Sequence, residues 1–356
     1  MPIDTKYAQR TTEQYHHHLK AAIMKSFRLA KYNEDVPAAI DSMTCEEIPV
    51  PEPQEGTVLI KNAYCSVNPI DWKIFSGGFD GYFPVKNFPY TPGFDIADVV
   101  EKVGPGVTNL AVGDRIIANL GLVETCVDPP LPQGAAGAFS EYSIAPSTIC
   151  AKVGDADFES VVGLSLAGLT AYQGLFTGSH NQDLGKCKSG DKVLILGGAG
   201  GVGSIALQLA ANAGCHVTTT ASPAKFDFVK GLGAKEVINY REQDWGEVLA
   251  GQDYDLIYDS IGLMDDLNDR APKVLKKGGK FISIANFDPS AKGTDDVLFQ
   301  VFLLLSKKPD LDKLVQMVKN QELKIVNDKI YSFDETIAAL KHSLGGRSTG
   351  KVLIKV

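Results

Sequence analysis

The chain has 356 residues, 44% of them hydrophobic and 22% charged, with a formal charge of −8. This length accommodates two domains, and an acidic balance without a basic stripe excludes a nucleic-acid partner. The longest apolar run, Val297-Leu-Phe-Gln-Val-Phe-Leu-Leu-Leu305, is too short to cross a bilayer and contains Gln300. It predicts a core or subunit-interface helix and no membrane insertion, and it leaves a homodimer open.

Residues 1–22 precede the first predicted strand and read as an N-terminal extension, with His16-His17-His18 in a solvated arm. Asp4 and Glu13 argue against an Arg-rich, acid-poor transit peptide, and the segment lacks a secretory pattern. The six cysteines (Cys45, Cys65, Cys126, Cys150, Cys187, Cys215) form no CxxC pair, so neither a structural zinc lobe nor a thioredoxin-type site is indicated. A reducing compartment follows, and the expected location is cytoplasmic.

From Met24 to about Val153 the chain reads as β-rich. Strands are predicted over Val58–Val67, Gly93–Val103 and Gly113–Ala118, punctuated by Gly and Pro, which suits a small barrel. The loop 120–137, with Pro129, Pro130 and Pro132, is expected to border the cleft. From Gly163 the pattern alternates: helix 164–176, strand 192–197, helix 200–213, strand 215–220, helix 223–232, strand 236–239, strand 254–258, helix 265–276 and strand 279–284. This is the order of a doubly wound parallel sheet. A helix near 309–320, short strands over 325–331 and 352–356, and a helix near 334–343 end the chain and are expected to rejoin the barrel.

Between the first strand and first helix of that alternation lies Gly198-Ala199-Gly200-Gly201-Val202-Gly203. Its GxGxxG spacing, in a strand–turn–helix context, predicts a pyrophosphate cradle at a helix N-terminus. An NAD site usually places Asp or Glu about 20 residues further on, against the ribose 2′-hydroxyl. Here the second strand ends in Thr219, Thr220, Ala221 and Ser222, with Lys225 following and no carboxylate before Asp227. A hydroxyl and a cation suit a 2′-phosphate, so NADPH is the expected cofactor. Ser222 before Pro223 is also a helix-start signal, and both readings stand together.

Several landmarks occur in order: Ser66-Val-Asn-Pro-Ile-Asp-Trp-Lys73, Pro92-Gly-Phe-Asp95, Val112-Gly-Asp-Arg115, Gly137-Ala-Phe-Ser-Glu-Tyr142, the glycine turn, Gly233-Ala-Lys-Glu-Val-Ile-Asn-Tyr240, Tyr258-Asp-Ser-Ile-Gly262 and Arg347-Ser-Thr-Gly-Lys351. With these the chain resembles the medium-chain dehydrogenase/reductase superfamily, in its zinc-free quinone oxidoreductase and enone (alkenal/one) oxidoreductase branch. The resemblance implies an α/β protein in which a GroES-like β-rich catalytic domain (23–160, returning at 323–356) accompanies a Rossmann domain (161–322). Zinc-dependent members hold their metal with a Cys in the segment matching 65–71, a His and often a Glu after the Pro-Gly pair, and a Cys near 165–168. Those places hold Asn68, Phe94-Asp95 and Ser165-Leu-Ala-Gly168, and Cys65 is three residues off the first position. No metal site is therefore expected.

Without a Lewis acid the substrate must carry its own activated acceptor, a conjugated C=C–C=O or a quinone. Hydride to the β-carbon builds charge on oxygen, which a nearby cation stabilises. The resemblance places Lys73 at the active site and favours enones and alkenals, with a quinone reductase and a low-turnover nucleotide-binding scaffold as the competing readings. A surface lysine is the plainer reading of Lys73. Asn68 is expected to donate to the carbonyl or the cofactor, or else to hold the Asn-Pro turn. Asp71 is expected to order Lys73 or to act like a helix cap. For the cofactor the resemblance adds Tyr240 near the 2′-phosphate or adenine, with a core aromatic as the alternative. It also adds the loops Ser260-Ile261-Gly262 and Ala285-Asn286-Phe287 beside the nicotinamide. Residues 347–351 match a family segment that closes around the cofactor, but their side chains are read as a surface turn leading into the last strand.

Overall fold

The computed structural model describes residues 22–82, 84–85, 87–121, 137–179, 182 and 184–356. The His16–His18 arm and most of the 120–137 loop lie outside the described residues. Near the start of the chain, β1 (Ile23–Arg28) and β2 (Thr44–Pro49) pair antiparallel. The long strand β3 (Thr57–Val67) then leads into the short helix α1 (Pro69–Lys73). Four more strands follow: β4 (Asp95–Val103), β5 (Arg115–Asn119), β6 (Tyr142–Pro146) and β7 (Ala151–Lys152). The β3–β4 ladder changes register at Leu59/Ile60 and again at Asn62/Tyr64. Such irregularities bend a strand and increase its twist, which helps curl this sheet around its own core. That core contains Leu59, Ile60, Ile96, Val100, Ile116, Phe139 and Ile144.

The second half is a six-stranded parallel sheet. Its strands are β8 (Lys192–Leu196), β9 (His216–Ala221), β10 (Glu236–Asn239), β11 (Tyr254–Asp259), β12 (Leu275–Ser283) and β13 (Val297–Val301). Their spatial order is β10-β9-β8-β11-β12-β13, and every neighbouring pair is parallel. Alternate residues of β8 enter different cores: Val193 and Ile195 on one face, Leu194 and Leu196 on the other. That two-sided burial is why the strand reads as an unbroken apolar run. The helix α2 (Gly201–Asn212) follows β8 directly after the glycine turn.

The last strands, β14 (Asn327–Ser332) and β15 (Lys351–Lys355), return to the first sheet. Strand β15 pairs antiparallel with residues 64–67 of β3 and parallel with β14. Lys351, at the start of β15, thus lies beside Val67 at the end of β3, and Gly350 bridges to Gly200 in the other half.

Two sequence expectations are corrected. The run 297–305 is not a helix: its first five residues form β13, with Leu298 47% exposed on the outer strand of the sheet. A short apolar run does not by itself separate a buried helix from a sheet strand. The helix expected over 265–276 shrinks to a wide turn at Asp266–Arg270 and one helical turn at Ala271–Val274, with β12 starting at Leu275. Pro272 has no N–H to give a longer helix.

Candidate active site

The glycine turn packs backbone against backbone. A Cβ on Gly203 would sit 2.1 Å from the Gly197 carbonyl oxygen, and one on Gly198 would sit 2.1 Å from Thr219 Oγ1. At Gly200 a Cβ would meet only Gly197 O, at 3.4 Å, so the space above the helix start is open. Gly200 is extended and caps α2 without a side chain, leaving the first N–H groups of the helix facing that space. A pyrophosphate fits this cradle.

Because the sheet is parallel, its strand ends converge on the same edge. Ser222 follows β9 in the position of a helix cap, yet its side chain makes no capping bond. The Lys225 ammonium is bonded to Thr349 Oγ1 of the tail. Tyr240, at the end of β10 beside Ala221, is 56% exposed, which removes the reading as a core aromatic. The tail is not a mere surface turn. Gly350 N–H donates to Ala199 O at 2.9 Å, and Ser348 Oγ is buried without a partner beside this corner. Lys225 and Thr349 are thus joined at one end of the glycine turn, with Ser222 and Tyr240 following the adjacent strands β9 and β10 and Ser348 preceding Thr349. Hydroxyls and an ammonium are groups that suit the oxygens of a phosphate.

The loops after β11 and β12 are tied together by Asp259, which sequence reading left unassigned. One carboxylate oxygen accepts from the N–H groups of Ile261 (2.8 Å) and Gly262 (3.0 Å); the other accepts from Ser283 Oγ (2.7 Å). Ser283 Oγ in turn accepts from the N–H groups of Ala285 (3.2 Å) and Asn286 (3.0 Å). Burial pushes the Asp259 carboxyl up, and these donors pull it back. Gly262 has φ +89° and meets Ala285 backbone, where a Cβ would come within 2.9 Å. Ser260 Oγ donates to Leu196 O at 2.6 Å, and Ile261 projects outward, 51% exposed.

Lys73 lies at the end of α1, half-buried, with its ammonium 6.0 Å from the Trp72 ring centre and 5.9 Å from that of Phe79. Burial lowers its pKa from 10.5. Phe79 and Tyr82 pack on Phe287 of the β12 loop, with centroids 5.9 and 5.5 Å apart. Ring contacts thus connect Lys73 through Phe79 to Phe287, and Asp259 ties that loop to 260–262.

Asn68 and Asp71 are arranged differently from the expectation. Asn68 is 1% exposed; its Nδ2 donates to Asp95 Oδ2 (2.9 Å) and Ser66 O (3.2 Å), and its Oδ1 accepts from Lys351. With both N–H groups and the carbonyl engaged, the amide is not free to donate to a substrate. Asp71 is buried and accepts from the Asn68 backbone N–H at 2.6 Å; it closes a capping box and makes no bond to Lys73. Burial pushes Asp71 well above the usual carboxylate range, helped by the charge of Asp95. Asp95 is raised by burial too, against the pull of Lys351, Asn68 and Ser66. Lys351 itself is 3% exposed, with its ammonium 3.1 Å from Val67 O and 3.8 Å from Asp95 Oδ2. The sequence motifs contain both Asp95 and Lys351 but give neither a partner.

Comparison with known proteins agrees with this geometry. Residues 54–155 match the model for an alcohol dehydrogenase GroES-like domain, and 232–354 match that for a zinc-binding dehydrogenase. A chloroplastic quinone oxidoreductase of Triphysaria versicolor is 32% identical over 87% of this chain and 92% of its own length. An NADPH-dependent alkenal/one oxidoreductase of Arabidopsis thaliana, also chloroplastic, is 31% identical over 94% of this chain and 81% of its own. Among solved structures, the quinone oxidoreductase of Coxiella burnetii superposes with a TM-score of 0.79 at 28% identity, over 94% of this chain and 100% of that one. The plant relatives overturn the cytoplasmic expectation and point to a plastid. A plastid interior does not require disulfides, so cysteine spacing has no power to separate the two compartments.

A catalytic zinc does not fit the residues present. The ligand positions carry an amide with no free donor or acceptor, a carboxylate facing an ammonium, and a serine hydroxyl, with neither thiolate nor imidazole. Cys65 points elsewhere, its thiol bonded to Ala138 O at 2.8 Å and pushed well up by burial.

Proposed function

Because the chain belongs to the quinone and enone oxidoreductase branch of the medium-chain dehydrogenase/reductase superfamily, we propose that it is an NADPH-dependent, zinc-independent reductase of the conjugated C=C in enones and alkenals. The observation that carries this reading is the placement of Lys73: a half-buried cation, without a carboxylate partner among the described residues, one ring away from the 285–287 loop. Bound along the sheet edge, the nicotinamide supplies the hydride. Lys73 then offers positive charge to the substrate oxygen as the enolate forms. Phe79, Tyr82 and Phe287 would give a planar substrate apolar surface beside that charge. Asp259 holds the two loops between which the reacting ring would sit. Ser222, Lys225 and Thr349 supply a hydroxyl–ammonium–hydroxyl corner, the chemistry a 2′-phosphate needs.

The division into a GroES-like part (23–160 and 323–356) and a Rossmann part (161–322) belongs to the same proposal, supported by β14 and β15 pairing back toward β3. So does a homodimer, supported by Leu298, which is exposed on the outermost strand of the parallel sheet. Quinone reduction is the second reading, favoured by the flat aromatic walls of the cleft. NADPH oxidation with methyl vinyl ketone and with 1,4-benzoquinone separates the two, and tight NADPH binding without turnover would indicate a scaffold. Lys73→Ala should lower kcat for the ketone by about tenfold to a hundredfold, leave the Kd for NADPH unchanged and slow the quinone less. Equal slowing of both acceptors would remove Lys73 from the chemistry.

A further inference from the structure

We propose that the Lys351 ammonium is a resident cation that takes the place of the metal ion bound by zinc-dependent relatives, and that it positions α1 from there. The inference rests on the zinc-free reading above. Asn68, at the first ligand position, and Asp95, at the place of the frequent Glu, do converge in this fold, and they converge on Lys351. Its Nζ donates to Asn68 Oδ1 and to Val67 O (3.1 Å) and lies 3.8 Å from Asp95 Oδ2. The lysine and Asp95 are 3% and 0% exposed, so neither charge is compensated by water. The surroundings are rich in acceptors: the carboxylates of Asp71 and Asp95 are both fully buried beside the amide of Asn68. Oxygen atoms around a single positive charge are the arrangement a hard cation requires. Here the chain supplies that charge itself.

The stem shows that the lysine is built in. It threads between two glycines: a Cβ at Gly163 would lie 3.0 Å from Lys351 Cγ, and one at Gly201 would lie 3.2 Å from Lys351 Cδ. Gly201 opens α2. Lys351 N–H donates to Val326 O at 2.8 Å, and Gly350, with φ +75°, is already tied to Ala199. The ammonium therefore joins the phosphate-binding turn to Val67 and Asn68, the two residues that lead into α1 and so to Lys73. Lys351 touches neither substrate nor the expected cofactor position; it is a positioning residue.

The test removes the ammonium and returns it. Lys351→Ala deletes the atoms of n-propylammonium. We expect kcat/KM for NADPH-dependent reduction of methyl vinyl ketone to fall by about tenfold or more, and n-propylammonium to restore several-fold of the loss while n-propanol restores none. Dialysed Lys351→Ala should also take up one Mn²⁺ per chain, where the natural protein takes up none. A folded variant that responds equally to amine and alcohol, or to neither, overturns the inference. If Lys351→Ala does not fold, Lys351→Met is compared with and without Asp95→Asn. Asp95→Asn should lower Tm in the natural background and raise it beside Lys351→Met, since the unpaired carboxylate is then the fault. Additive losses would show that the two charges are not partners. Zinc analysis of the natural protein keeps the two readings apart. Required, stoichiometric zinc defeats the zinc-free function itself, whereas a zinc-free active protein with no amine rescue defeats only the role of Lys351.

Discussion

The glycine turn and the polar cluster beneath α1 meet at Lys351 and are built in opposite ways. In the turn, shape comes from the backbone: Gly197, Gly198 and Gly203 lie within one short segment, and the constraint is the absence of side chains. In the cluster, shape comes from side chains drawn from three segments, 66–71, Asp95 and Lys351, with Val67 and Lys351 separated by 284 positions. A backbone site tolerates no added atom, whereas a side-chain site tolerates no lost charge. The two should therefore fail under different substitutions and with different symptoms.

The largest effect is expected at the turn. Gly203→Val brings a Cβ to 2.1 Å from Gly197 O, and that neighbour is backbone and has nowhere to go. The Kd for NADPH should rise about a hundredfold, with a lower Tm, both read by titration and thermal melting. Gly200→Ala, whose Cβ meets only Gly197 O at 3.4 Å, should leave Tm unchanged while still weakening the cofactor, because the space it fills is the one left for the pyrophosphate. If Gly200→Ala destabilises the free protein as much as Gly203→Val does, the turn is a packing feature and not a cradle.

The same contrast explains what the sequence disclosed. Five sheet strands and the glycine turn were legible because their signals are local: apolar runs, turn glycines and strand–turn–helix order. Lys73 was legible through the motif in which it stands. The roles of Asn68, Asp71, Asp95 and Lys351 were not, since hydrogen-bond saturation depends on partners that the chain brings together only on folding. Asp259 stood in a recognised motif, but nothing in its neighbours announces that it accepts from two loops. The strand β13 was misread for a different reason: a five-residue strand continued by further apolar residues has the composition of a helix segment.

A middle-sized effect is expected where the two styles of construction meet, at the corner proposed to hold the 2′-phosphate. Lys225 comes from the sheet edge and Thr349 from the tail, and their side chains are bonded to one another. Lys225→Ala removes a charge-assisted contact worth about 1.5–3 kcal/mol, so the KM for NADPH should rise about tenfold or more while NADH kinetics stay level. Thr349→Val keeps the charge and loses one hydroxyl, and should cost a fewfold on NADPH alone. Equal losses with both cofactors would show that the corner orders the tail and does not read the phosphate.

The smallest effect tests whether the cleft behaves as a side-chain site in its chemistry. Lys73 must be protonated to stabilise an enolate, and burial has lowered its pKa from 10.5. Raising the pH therefore removes the charge earlier than for an exposed lysine, and kcat for an enone should decline on the alkaline side by a fewfold. Lowering the pH leaves the ammonium intact and should not produce that limb. Lys73→Arg keeps a charge that does not titrate in the accessible range, so the decline should vanish even if the absolute rate is lower. A quinone needs less help at oxygen and should show a shallower limb with the natural protein. An alkaline decline that survives Lys73→Arg unchanged would assign the titration to another group and leave Lys73 as a cation that only packs against Phe79.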